Sequence, residues 1–252
     1  MPTIGDLEIT PPHILLYGKP GAGKSALLQT LGDKVQILDF DDGVITGKTL
    51  KDKWFETRKK ANFIDLVERN PRNTTIFAKT EDIVQKTLED CIKGTFPYEA
   101  FVLDSFTTLA DHAMLYTLHK DGKSINANPE IQHWGRTFNR LNALLLDLFA
   151  LPITVILVCH EKQGLDTHEI KDDRQVEICI SGTKFPSQVC SKFGEIWRCK
   201  APRTTGKKYY EIQTMADYLT TCRTRLNVPN NLDMDLGLKH ILSLGGFNFK
   251  GN

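Results

Sequence analysis

The eight residues Gly18-Lys19-Pro20-Gly21-Ala22-Gly23-Lys24-Ser25 carry the densest chemistry in the chain. Their spacing, G-x-x-x-x-G-K-[ST], is what a loop needs to wrap phosphate oxygens with backbone N–H groups. The glycines permit the tight curvature, Lys24 neutralises phosphate charge, and the Ser25 hydroxyl reaches Mg²⁺. Ala26 continues into a helix whose N-terminal amides add to the anion site. The expected ligands are therefore ATP and Mg²⁺.

Three further groups fit around such a loop. Phe101-Val102-Leu103-Asp104-Ser105 is an apolar run ending in a carboxylate, which suits Asp104 to the metal's water shell beside Ser25. Leu38-Asp39-Phe40-Asp41-Asp42-Gly43 gathers acids at another run's end. Asp41 lies on the same side as Asp39 but one step beyond, where it could orient an attacking water; a solvated acidic turn before Gly43 fits the same residues. In Val158-Cys159-His160-Glu161, His160 is placed to sense a terminal phosphate, and it fits equally a polar residue closing a strand.

The elements that must position these residues follow from the pattern. His13 to Tyr17 reads as a buried strand feeding the glycine loop, with a helix starting near Gly23. Val35 to Phe40, Ala100 to Leu103 and Ile153 to Cys159 read as strands of the same sheet, each ending where ligands bind in open α/β sheets. Helical periodicity covers Glu81 to Lys93, Thr107 to His119 and Trp134 to Ala150, the last with Phe138, Leu141, Leu144, Leu145 and Leu148 on one face. Alternating strands and helices predict an α/β fold with a mainly parallel twisted sheet covered on both faces. Lys48 to Pro71 reads as a surface helix or insertion, and Gln175 to Ile180 and Lys208 to Thr214 as later antiparallel strands or hairpins.

At 252 residues the chain has the size of one large domain, divided here into an arm (1–12), a core (13–235) and a C-terminal tail (236–252). A net charge of +1 gives no overall basic footprint, so nucleic-acid contact would need a local patch. The six cysteines make no C-x-x-C pair and read as reduced thiols. The start of the chain has no signal-peptide pattern, and the longest apolar run, Ala150 to Cys159, is broken by Pro152 and Thr154. A cytoplasmic location is expected, that of the host if the chain is phage-encoded.

Taken together, Gly18 to Ser25, the Asp41 turn, Leu103-Asp104-Ser105, Trp134-Gly135-Arg136 opening a helix, and Cys159-His160 resemble the RecA-like ATPase core over roughly residues 10 to 235. Order and spacing look closest to phage-encoded, core-only RecA relatives that anneal single strands. The resemblance implies a DNA-stimulated ATPase that assembles on single-stranded DNA as a filament or ring, with ATP at subunit interfaces, and promotes annealing or strand exchange, with a single-strand-binding protein as a further partner. It implies that Asp41 activates water, where recombinases more often carry Glu, and that His160 couples the phosphate to a DNA loop, where bacterial RecA has glutamine. It places Arg223 or Arg225, in Cys222-Arg223-Thr224-Arg225-Leu226, as a finger reaching the neighbouring subunit's ATP. Two loops would face DNA, offering Lys120, Lys123 and, opening the next helix, Arg136, then Lys162, Lys171 and Arg174.

Two other readings stay open. A nucleotide-gated DNA-binding adaptor with little hydrolysis would use the same loop only to set conformation. A P-loop kinase would share it too, although no compact arginine-rich lid precedes residue 198.

Overall fold

The computed structural model describes residues 10–70, 75–163, 176–182, 184–201 and 210–249. Its strands are β1 (His13–Gly18), β2 (Val35–Asp39), β3 (Asn62–Asp65), β4 (Ala100–Asp104), β5 (Thr154–Gln163), β6 (Val176–Ile178), β7 (Glu195–Lys200), β8 (Glu211–Gln213) and β9 (Asn231–Asp233). Its α-helices are α1 (Lys24–Leu28), α2 (Thr46–Thr49), α3 (Phe55–Arg58), α4 (Ile76–Ile92), α5 (Phe106–Lys120), α6 (Ile131–Phe149), α7 (Phe185–Lys192) and α8 (Leu238–Leu244).

Strand order across the sheet is β3-β2-β4-β5-β1-β7-β8-β9, with β6 paired to β5. From β3 to β7 the neighbours are parallel, while β8, β9 and β6 add antiparallel pairs. The fold is thus α/β with a mainly parallel sheet and antiparallel strands toward the C-terminus. Because strand side chains alternate between faces, Leu15, Tyr17, Leu103, Leu157 and Cys159 bury on one side, and Ile14, Leu16, Val102, Ile156 and Val158 on the other. Helices α4 to α7 cover the first face through Phe77, Leu109, Leu144, Leu148 and Phe185; α1 and α8 help cover the second through Leu27, Leu28, Ile241 and Leu242. With both faces dry, only the strand ends are open to polar chemistry.

Several elements differ from the sequence pattern. The stretch expected as a surface helix or insertion holds α2, α3 and the edge strand β3, where Phe63 is half exposed. An edge strand with one solvated side has little apolar signal. Beyond residue 160, where only strands and hairpins were expected, α7 intervenes and β7 lies parallel beside β1. The sequence of β7, Glu-Ile-Trp-Arg-Cys-Lys, hides a core strand because its polar side chains are satisfied inside: buried Glu195 accepts from Trp197 Nε1 (3.1 Å) and the Arg225 amide (2.8 Å), and Arg198 and Lys200 pair with Glu161 and Glu211. In the segment expected as a C-terminal tail, α8 buries Leu238, Ile241 and Leu242. Among the described residues, no helix is long and apolar enough to cross a membrane.

Candidate nucleotide site

Strand β1 ends at Gly18, and the chain turns through Gly21 and Gly23 at positive φ (78° and 86°) before α1 begins at Lys24. A side chain at Gly23 would also crowd Tyr210 and Met234, both 3.2 Å from a built Cβ. Lys24 is buried, and its Nζ donates to the Gly18 and Lys19 carbonyls at 2.8 and 3.0 Å, which holds the ammonium inside the loop's curve. Burial lowers its pKa, with nearby Cys199 and Asp104 opposing. The loop's residues thus converge on one concave face, as the motif requires.

Strand β4 is separated from β1 by β5, yet it delivers Asp104 to the same edge: Ser25 Oγ donates to Asp104 Oδ2 at 2.6 Å. Asp104 is 5% exposed. Burial, reinforced by the charges of Asp39 and Asp41, pushes its carboxyl up to about 6 against the Ser25 hydrogen bond and Lys24. Gly43 closes over this pair, since a Cβ there would lie 2.6 Å from Ser25 Oγ and 3.1 Å from Asp104 Oδ2. Serine and aspartate oxygens are hard donors, and the described residues contain no cluster of three metal-binding side chains. A cation here must take its remaining ligands from phosphate and water, which is the habit of Mg²⁺. Ser25 and Asp104 fit that ion, and Gly43 leaves the room for it.

The acids after β2 divide by role. Asp39 serves the backbone: its Oδ1 accepts from the amides of Gly43 (2.9 Å) and Asp41 (3.3 Å), and its Oδ2 from Val44 (3.3 Å), shaping the turn that carries Gly43. Burial raises its pKa against those bonds. Asp41 instead faces the cleft, with Oδ2 3.1 Å from His160 Nε2 and Oδ1 accepting from the Thr108 hydroxyl. Burial alone would raise the Asp41 carboxyl, but hydrogen bonds from His160, Ser105 and Thr108 hold it down at about 2. His160 pairs in register with Gly18 across β5 and β1, and its amide donates to Thr107 Oγ1 at 3.0 Å. The fold therefore brings Lys24, Ser25, Asp41, Asp104 and His160 to one cleft of about 720 Å³.

Residues 10–231 match the family described as AAA domain, nearly the whole chain. The chain belongs to the AAA domain family. No curated protein matches it by sequence. A solved structure described as "Crystal structure of the RadB recombinase" is similar at 16% identity and a TM-score of 0.43, covering 89% of this chain and 86% of that one.

The remaining expected residues of this AAA domain lie elsewhere. Arg223 Nη2 donates to the carbonyls of Cys190 (2.9 Å), Ser191 (3.1 Å) and Phe193, so it caps the end of α7. Arg225 is exposed and runs along Gly194, with Cδ 3.5 Å from a Cβ built there. Both flank the start of β7, whereas the phosphate loop lies at the far end of β1 beside Cys199. With about 10 Å of strand between, neither is placed to serve its own loop.

Of the expected DNA contacts, Lys123 pairs with Glu130 (3.5 Å), Arg136 with Asp121, and Lys162 with Glu177 (3.8 Å). Lys120 sits over the Tyr116 ring at 5.3 Å. Lys171 and Arg174 lie outside the described residues.

One buried pair between β5 and β7 was passed over in the sequence. Arg198 on β7 grips Glu161 on β5 through two hydrogen bonds of 2.9 and 3.2 Å, with the Glu161 side chain 2% exposed. The charge of Glu161 also reaches Lys24. The only hint in the sequence was a charged residue directly after His160.

Proposed function

We propose that this AAA domain is an ATP- and Mg²⁺-dependent, single-stranded-DNA-binding recombinase or annealing protein, of the kind that phage-encoded RecA relatives represent. The contact between Asp41 and His160 carries the reading. One partner follows β2, where a carboxylate can orient water; the other lies on β5, whose continuation Glu161 to Gln163 pairs with β6. A change at the phosphate end of the cleft would therefore reach the paired strands β5 and β6 through the Asp41–His160 contact.

In this scheme the loop from Gly18 to Ala26 binds the phosphates through its free backbone amides and Lys24, and Ser25 and Asp104 hold Mg²⁺, which when bound supplies charge neutralisation. Asp41 positions the attacking water, and His160 couples Asp41 to strand β5. Arg225, with Arg223 behind it, faces away from its own loop, which favours a role in trans and an assembly of copies with ATP at their junctions. Lys120, Lys123, Arg136, Lys162, Lys171 and Arg174 remain the proposed DNA contacts, those described here having to exchange a partner within the chain for phosphate. A single-strand-binding protein would be the natural collaborator in annealing.

One observation favours the second reading, an adaptor that hydrolyses little: a carboxyl held at about 2 is a weak proton acceptor. Steady-state ATP hydrolysis with and without single-stranded DNA separates the two, with Lys24→Ala as the blank. Stimulation of ten-fold or more supports the recombinase. A rate equal to the blank under both conditions, with DNA binding still nucleotide-dependent, leaves the adaptor; DNA affecting neither rate nor nucleotide affinity refutes both.

A further inference from the structure

Among the expected DNA contacts, Lys123, Arg136 and Lys162 each have an acid partner within the chain. Uncommitted cations gather on a different face. Residues 48–60, spanning α2 and α3, hold six basic side chains against two acids, in a chain whose net charge is only +1. Both acids are used locally: Arg58 donates to both oxygens of Asp52 at 2.7 Å, and Lys59 to both of Glu56 at 2.9 and 3.0 Å. Lys53 reaches Asp235 at 3.7 Å. Lys48, Lys51 and Lys60 are exposed and pair with no acid among the described residues.

Lys60 lines a groove of about 520 Å³ together with Lys34 and with Lys239 and His240 of α8. Lys239 and His240 are exposed and likewise without an acid partner among the described residues, while Lys34 is held by Glu99 at 3.0 Å. Asp33 is the one acid on the groove's lining. We propose that this groove, between α3, α8 and the turn Gln29–Lys34, binds the phosphodiester backbone of single-stranded DNA, with Lys60 and Lys239 as its main phosphate contacts. The inference rests on the single-stranded-DNA reading above and goes beyond it by naming a surface apart from the two expected loops.

Charge and shape both favour a single strand. A lysine that is already paired must give up its acid before it meets a phosphate, whereas Lys60 and Lys239 displace only solvent and loosely held counterions. A positively charged groove that follows the backbone is the common device for holding a single strand without reading its sequence. The volume falls within the range of about 300–1,000 Å³ typical of small-molecule sites, which suits the entry of a nucleotide unit of a flexible strand and not of a duplex. An acidic protein would want an apolar centre to pack against, and the apolar side chains Leu31 and Phe249 on this lining are already buried, at 4% and 6% exposure. Trp54 and Thr30 line both the groove and the nucleotide cleft, so the two sites adjoin.

The test titrates the full chain, with Mg²⁺ and ATP, against a fluorescent oligothymidylate at several salt concentrations, and repeats it with the double variant Lys60→Ala, Lys239→Ala. The variant should bind at least about ten-fold more weakly at low salt, and its slope of log affinity against log salt should be shallower by about 1.4, since each single-strand phosphate contact contributes about 0.7. Its ATP affinity should stay unchanged, which also shows the fold intact, and the pair Lys60→Arg, Lys239→Arg should restore strand binding. Wild-type affinity and slope in the alanine variant overturn the groove while leaving the single-strand reading standing. Displacement of the wild-type complex by polyglutamate as readily as by unlabelled oligothymidylate, at equal charge, also overturns it and points to an acidic protein partner. Failure of the wild-type chain to bind oligothymidylate at all removes the functional reading, and this inference with it.

Discussion

Replacing Asp104 with asparagine should make the metal-free protein more stable while removing the Mg²⁺ contribution proposed for nucleotide binding. Asp104 is 5% exposed, and burial pushes its carboxyl up to about 6 from an ordinary 3.8. In the unfolded chain it ionises near 3.8; in the fold it holds its proton until about 6. Between those values the native state binds more protons, so this group's contribution to stability falls as pH rises through that window, and its full cost is present above pH 6. At about 1.36 kcal/mol per pH unit the cost is roughly 3 kcal/mol. Asparagine removes the charge and keeps an oxygen for the Ser25 hydroxyl, but forfeits about 1 kcal/mol because that bond is no longer charge-assisted. The net gain is about 2 kcal/mol at pH 8, a rise of roughly 4–8 °C for a chain of this size, vanishing near pH 4. Urea unfolding at pH 4.5 and pH 8 in EDTA measures it, alongside titration calorimetry of Mg²⁺-ATP, which should show the metal contribution lost. If Asp104→Asn destabilises the protein at pH 8, or its effect is the same at both pH values, burial is not what governs this carboxyl.

Two further perturbations follow from the same geometry. Gly43→Ala places a methyl 2.6 Å from Ser25 Oγ and 3.1 Å from Asp104 Oδ2, and overpacking of this kind costs about 1–3 kcal/mol. Nucleotide affinity in EDTA should change little while its enhancement by Mg²⁺ disappears; an intact Mg²⁺ enhancement would place the metal elsewhere. Arg198→Ala strands Glu161, whose side chain is 2% exposed, and should cost about 3–5 kcal/mol in unfolding free energy. The double variant Glu161→Gln with Arg198→Met should recover most of that loss, and a single-variant loss below about 1 kcal/mol would mean water already reaches the pair.

The division between what the sequence determined and what the tertiary structure decided follows the range of the interactions involved. The phosphate loop, its strand and its helix are local: glycines, a lysine and a serine at fixed spacing, bracketed by an apolar run and a helical one, leave few other foldings. Asp104 was legible for the same reason, as the polar end of an apolar strand. So was the parallel architecture, because strands buried on both faces must be apolar throughout.

Which partner each acid meets was not local. Asp39 and Asp41 lie two positions apart in similar surroundings, yet one closes the turn onto Gly43 and the other reaches His160, 119 residues away in sequence. That choice depends on β5 being inserted between β1 and β4, a strand order no single segment encodes. The same holds for Glu161 with Arg198, for the core strand β7 with its polar side chains satisfied inside, and for Arg223, whose guanidinium meets the carbonyls at the end of α7. In each case the polar group takes its role from a hydrogen-bonding partner that only the folded chain brings within reach.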